Sequence, residues 1–155
     1  MTESLTESLT ESLTEVRDTH LGRMLLKLER KFTKQVLEKL ASDNIKDITL
    51  RHFVVIPYVD HKGIRAVEIA KKAGISKQAV SKLVDELVNK GYLELKPDPT
   101  DGRASLVYMS SRGHEFLELA LKYTRQIESQ WADKVGKKDF LIMKSAMTTL
   151  LEDPT

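Results

Sequence analysis

Lys77, Gln78, Ser81 and Lys82 fall on one side of a helix if the residues around them are helical, and as side chains they are nearly all hydrogen-bond donors. That set suits the reading of DNA. A glutamine amide can pair bidentately with adenine, a lysine can reach guanine or phosphate, and a serine hydroxyl can serve either. Immediately ahead, Ser76 and the first free amides of the helix would face a phosphate, an arrangement the helix dipole favours. Further along, Arg103 follows Asp101 and Gly102 in a stretch dense in turn formers. A guanidinium carried on such a tip can enter a minor groove, where a narrow groove concentrates negative potential. Arg65 and Lys62 are lesser phosphate candidates.

Three elements must hold these side chains in place. Over residues 76–90, Val80, Leu83, Val84, Leu87 and Val88 recur at helical spacing, so an apolar face lies opposite the polar one. Ser76 is an N-cap by type, Ile75 before it can staple onto Val80, and Gly74 suits the end of a preceding helix. That earlier helix carries Ala66, Ile69, Ala70 and Ala73, and the pair reads as helix-turn-helix. Residues 92–96 then alternate apolar and polar, residues 97–102 predict a turn, and residues 104–109 predict a returning strand. A hairpin in that position is a wing. Gly102 is expected to supply a backbone conformation closed to other residues there.

Several motifs in order carry a resemblance. Ala66-Val-Glu-Ile-Ala70, Gly74-Ile-Ser-Lys-Gln-Ala-Val-Ser81, Gly91-Tyr-Leu, and Asp98-Pro-Thr-Asp-Gly-Arg103 before Ser110-Ser-Arg-Gly113 resemble the MarR family of winged-helix bacterial transcription regulators. The resemblance covers residues 49–113 in motif detail. It implies a homodimer built by interleaved terminal helices, an arginine in the position of Arg103 entering the minor groove, and an aspartate in the position of Asp101 helping to hold the wing. It also implies repression as the commoner outcome, and release of DNA when a small aromatic acid enters a cleft between the dimer helices and the winged domain. His20, Arg51, His52 and Tyr58 are the polar or cationic residues that could line such a cleft.

Composition narrows the alternatives. The 155 residues can bury one core, and 31% are charged. No apolar run is long enough to span a bilayer and no secretory leader pattern opens the chain, so the expected compartment is the cytoplasm, with no membrane partner. There is no cysteine, which excludes disulfides, thiolate metal sites and cysteine catalysis. The net charge is only +2, but residues 61–114 hold ten Lys or Arg against six acids, so positive charge gathers on the reading elements.

The fold expected is mainly α with a small β wing: a winged helix-turn-helix domain with N- and C-terminal dimerisation helices. Residues 1–18 form an extension made largely of three Thr-Glu-Ser-Leu repeats, whose leucines drift about 40° per repeat around a helix. A frayed segment is the plainer account of it. Residues 19–47 carry a long amphipathic helix with Leu21, Leu25, Leu28, Phe32, Val36 and Leu40, followed by a polar break. Residues 48–112 form the DNA-binding domain. Within them Thr49 caps a helix with Leu50, Phe53, Val54 and Ile56, expected to bend at Pro57, and residues 60–63 form a turn. Residues 113–155 continue a helix capped by Ser110, about 25 residues long, then a break at Gly136 and a last helix with Phe140, Met143 and Met147. These terminal helices carry more apolar surface than a winged-helix core needs, which points to association.

Two other classes compete. An enzyme would need a constellation that is absent from the sequence: the four histidines show no paired spacing beside a glutamate, and no glycine-rich phosphate loop or Gly-x-Ser-x-Gly elbow appears. No cofactor or metal is expected. A winged helix used as a protein-interaction module would want apolar and aromatic anchors, for which Lys77, Gln78, Ser81 and Lys82 are poor material. The favoured partner is a duplex with an inverted-repeat operator, its half-sites about 34 Å apart.

Overall fold

The computed structural model describes residues 19–152, so the Thr-Glu-Ser-Leu repeats lie outside the described residues. The chain divides into two compact units between Gln35 and Val36. Helix α1 (Leu21–Ser42) is the long amphipathic helix that the leucine spacing predicts. In the second unit its last turns bury Val36 and Leu40, and the Tyr123 hydroxyl donates to the Asp43 carboxylate just beyond them.

Residues 50–58 depart from expectation. In place of an α-helix bent at Pro57, the chain makes two 3-10 turns, Leu50–Val54 and Ile56–Tyr58. The run Val54-Val55-Ile56 is β-branched throughout, which weakens an α-helix. Pro57 sits in the first turn of the second piece, where its missing N–H leaves no bond unmade. Thr49 stands at the N-cap position of the first piece with extended backbone, but its side chain makes no capping hydrogen bond; its amide donates to the His52 ring instead.

Strand β1 (Ile64–Arg65) leads directly into α2 (Ala66–Ala73) and then α3 (Lys77–Asn89). Gly74 ends α2 with φ +67°, and its amide and that of Ile75 both reach the Ala70 carbonyl. Ser76 caps α3 by accepting from the Ala79 amide at 3.2 Å. Helix α3 buries Val80, Leu83, Val84 and Leu87, as its spacing predicts. Each such side chain withdrawn from water contributes roughly 1.5–3 kcal/mol before entropy is counted.

The sheet is antiparallel in the order β1-β3-β2, with β2 (Leu93–Asp98) and β3 (Asp101–Met109) forming the wing. Strand β1 has only two residues, too few to show alternation in a sequence. The wing's turn is tighter than the turn formers suggest: Asp98 pairs with Asp101, so Pro97 belongs to β2 and Gly102 and Arg103 to β3. Proline is tolerated because β2 is an edge strand. The expectation for Gly102 is overturned, since its φ is not positive and a Cβ there would meet nothing within 4 Å.

After the wing, Ser110 caps α4 (Ser111–Val135) by accepting from the Gly113 amide at 2.9 Å, and its hydroxyl donates to the Gly91 carbonyl. Gly113 presses so close that a Cβ would lie 2.0 Å from the Tyr92 carbonyl oxygen, which explains the glycine in Ser110-Ser-Arg-Gly113. Gly136, at φ +96°, separates α4 from α5 (Lys137–Glu152). The chain is therefore mainly helical with a small antiparallel sheet, the fold class its sequence predicts.

Candidate nucleic-acid interface

The first turns of α3 carry Lys77, Gln78 and Lys82 exposed, with Ser81 half-buried between them. Among the described residues, none of these four side chains has a hydrogen bond or ion pair, so their donors face solvent. Lys77 and Ser81 also line a groove of about 380 Å³ whose far wall is the wing, at Arg103 and Ser105. Two of the expected reading residues and the expected wing arginine thus border one groove. Ser76 is engaged as a cap, but its hydroxyl proton is still available to a phosphate.

Arg103 is exposed; its backbone amide donates to the Asp101 carboxylate at 3.1 Å, and among the described residues its side chain makes no hydrogen bond or ion pair. The plain alternative, in which the two side chains neutralise each other across a solvated turn, is not what the wing adopts. The wing is instead clipped by a residue whose role the sequence reading missed. Asp98 is buried and accepts from the Thr100 amide at 2.8 Å, the Thr100 hydroxyl at 2.7 Å and Arg65 Nε at 2.7 Å. The Thr100 donors first, and then Arg65, outweigh burial and hold the Asp98 carboxyl at about 2. Asp101 lies 3.9 Å from the same guanidinium and plays the smaller part. Arg65, read as a phosphate contact, therefore uses Nε and Nη2 to tie the start of α2 to the wing.

The other end of α3 is fastened at two places. Lys90 donates to the Asp47 carbonyl at 2.5 Å, and the Tyr92 hydroxyl donates to the Asp47 carboxylate at 2.6 Å. Arg112, from the first turn of α4, reaches the Lys90 carbonyl and Asp47 and lies 4.4 Å over the Tyr92 ring. Burial, then the Asp47 carboxylate, push the Tyr92 phenol up to about 12. Burial works to raise Asp47, but the Tyr92 hydroxyl, Arg112 and Lys90 prevail and lower it. Higher on the same helix, Glu86 bonds Arg51 at 2.9 Å and the His52 ring at 3.2 Å.

His52 is wholly buried, and both ring nitrogens are engaged. It is therefore a core histidine and not the lining of an open cleft. Tyr58 directs its hydroxyl to the Lys72 carbonyl at 3.5 Å, and Arg51 stays on Glu86. Neither groove on α3 is lined by His20, Arg51, His52 or Tyr58. Among the described residues no cluster of three or more His, Asp or Glu could hold a metal ion, and no helix is long and apolar enough to cross a membrane.

The helix pair, its wing and the motifs that build them match a model described as the MarR family over residues 46–104. The multiple antibiotic resistance protein MarR of Escherichia coli (strain K12) is 28% identical over 131 residues, covering 80% of this chain and 89% of that protein. These matches support a MarR-family winged-helix regulator. Solved structures agree on the fold. Apo wild-type MarR from E. coli aligns with TM-score 0.70 at 23% identity, over 84% of this chain and 96% of that one. CouR, a transcriptional repressor bound to a 23-mer DNA duplex, aligns with TM-score 0.71 at 21% identity, over 88% and 96%. CouR from Rhodococcus jostii RHA1 is also known bound to p-coumaroyl-CoA. The relatives it matches are MarR-family transcriptional regulators, which are not enzymes, and they support a regulator of transcription here.

Proposed function

We propose that this chain is a homodimeric MarR-family repressor of a palindromic operator, with α3 in the major groove and Arg103 in the adjacent minor groove. The observation that carries this reading is the shared groove: Lys77 and Ser81 on one wall and Arg103 on the other, with the cationic side chains free of internal partners. Gln78 pairs with adenine, Lys77 and Lys82 serve guanine or phosphate, and Ser76 and Ser81 add hydroxyls. Arg65 and Asp101 act at one remove by shaping the wing, Asp101 through the Arg103 amide.

Residues 48–112 supply the DNA-binding domain, and residues 19–47 and 113–155 the dimer. Leu121, Val135, Leu141, Ile142, Leu150 and Leu151 on α4 and α5 are exposed in the single chain, as an unpartnered dimer face would be. The duplex-bound and acyl-CoA-bound states of CouR support a regulator released by a small aromatic compound, acting in the cytoplasm where its operator lies. Gel-shift titration at two salt concentrations tests the core of the proposal. The wild type binds duplex with an affinity that falls steeply with salt, and Arg103→Ala binds every duplex more weakly. An absence of duplex binding at low salt, or identical behaviour of the two proteins, would overturn it.

A further inference from the structure

The reading face of α3 leaves one acid open. Lys77, Ser81 and Asp85 stand four residues apart, and all three line both the groove toward the wing and the open face of the helix, so they form the ridge between the two. From Lys77 to Asp85 the helix rises about 12 Å, close to the ~12 Å width of the major groove, so the whole ridge fits within it. Two acids border the open face, Asp85 and Glu86. Glu86 is engaged by Arg51 at 2.9 Å and by the His52 ring at 3.2 Å. Asp85 is exposed, and among the described residues its carboxylate makes no hydrogen bond or ion pair. In the groove toward the wing it is the acidic member of a lining that also holds Arg65, Lys77 and Arg103.

A free carboxylate opposes the task of a surface that meets a polyanion. Facing phosphates it is repelled, which weakens every duplex contact that Lys77, Lys82 and Arg103 make without regard to sequence. Only a hydrogen-bond donor on the duplex compensates it, and the donors that the major groove offers are the exocyclic amines of cytosine and adenine. Adenine sets the acceptor N7 beside its amine, an arrangement that suits the amide of Gln78. Cytosine shows N4 as a donor alone, which suits a carboxylate. Thymine O4 and the O6 and N7 of guanine are acceptors, and would stand against Asp85 unpaired.

We propose that Asp85 is a specificity-determining residue: its carboxylate accepts from cytosine N4 at one position in each half-site and repels the duplex wherever that amine is missing. Lys77, Lys82 and Arg103 attract any duplex, and Asp85 supplies the penalty that separates the operator from the rest.

This inference rests on the DNA-binding reading, and its test separates the two. Because Asp85 is exposed and unbonded, Asp85→Ala and Asp85→Asn should unfold at the wild-type temperature. The operator selected by the wild type, its single-base variants and an unrelated duplex are each titrated by fluorescence anisotropy with all three proteins. For the wild type, replacing one cytosine per half-site by thymine costs about tenfold in affinity. In Asp85→Ala the same replacement costs less than about twofold, while affinity for the unrelated duplex rises about twofold or more. Asp85→Asn, which can donate as well as accept, binds the cytosine and thymine operators alike. The opposite signs on operator preference and unrelated duplex distinguish reading from support, since a residue that only held the fold would weaken every duplex together. Unchanged base preference at every position in Asp85→Ala, or an equal loss on operator and unrelated duplex, overturns the inference alone. No duplex binding by the wild type overturns both readings.

Discussion

The two ends of α3 are held in opposite ways. At its N-terminal end Lys77, Gln78 and Lys82 stand exposed with unbonded side chains, and only the Ser76 cap and the buried valines and leucines locate the backbone. At its C-terminal end Glu86 is fastened to His52 and Arg51, Lys90 to Asp47, and the chain just beyond passes under Arg112 and Gly113. The wing repeats the contrast on a smaller scale, with Arg103 free at its tip and Asp98 clipped at its base. Donors meant for a partner must be unpartnered beforehand, and they can be aimed only if the far end of their element does not move.

Changes that break the fixed end should have the largest effects on folding. Gly113→Ala forces a methyl group onto the Tyr92 carbonyl, and we expect a loss of about 3 kcal/mol in chemical denaturation, typical of severe overpacking. Changes at the free end should leave stability alone and alter recognition. Gln78→Ala should relax base preference at one position per half-site by about 1–3 kcal/mol, read by affinity for a panel of single-base operator variants. Arg103→Ala should weaken binding to all sequences and lower the salt slope by about one ion. The smallest effect is confined to acid. Because Asp98 is held at about 2, against an ordinary 3.8, its contribution to stability is complete above the ordinary value and is lost as pH falls toward 2. Acid unfolding monitored between those values should therefore be steeper for the wild type than for Asp98→Asn.

The free end was legible in the sequence and most of the fixed end was not. Ser76, the α3 valines and leucines, Gly74 and Ser110 announce themselves through local chemistry, because capping, helical spacing and left-handed backbone involve neighbours in the chain. His52 with Glu86, and Asp47 with Tyr92 and Arg112, join residues far apart in sequence, and no spacing rule finds such pairs. Asp98 left a trace that could have been read. In Asp98-Pro-Thr100, an aspartate two residues before an amide it can cap is an Asx-turn signature. Gly102 misled for the converse reason: glycine permits a positive φ but does not require it, and a two-residue turn at Pro99-Thr100 already reverses the chain.

Selection of bound sequences from a random duplex library, with the wild-type protein at low salt, tests the account most directly. The account predicts an enriched inverted repeat with half-site centres about one helical turn, ~34 Å, apart and an adenine-containing step where Gln78 reads. Enrichment of no sequence, or of a motif without two-fold symmetry, would contradict it.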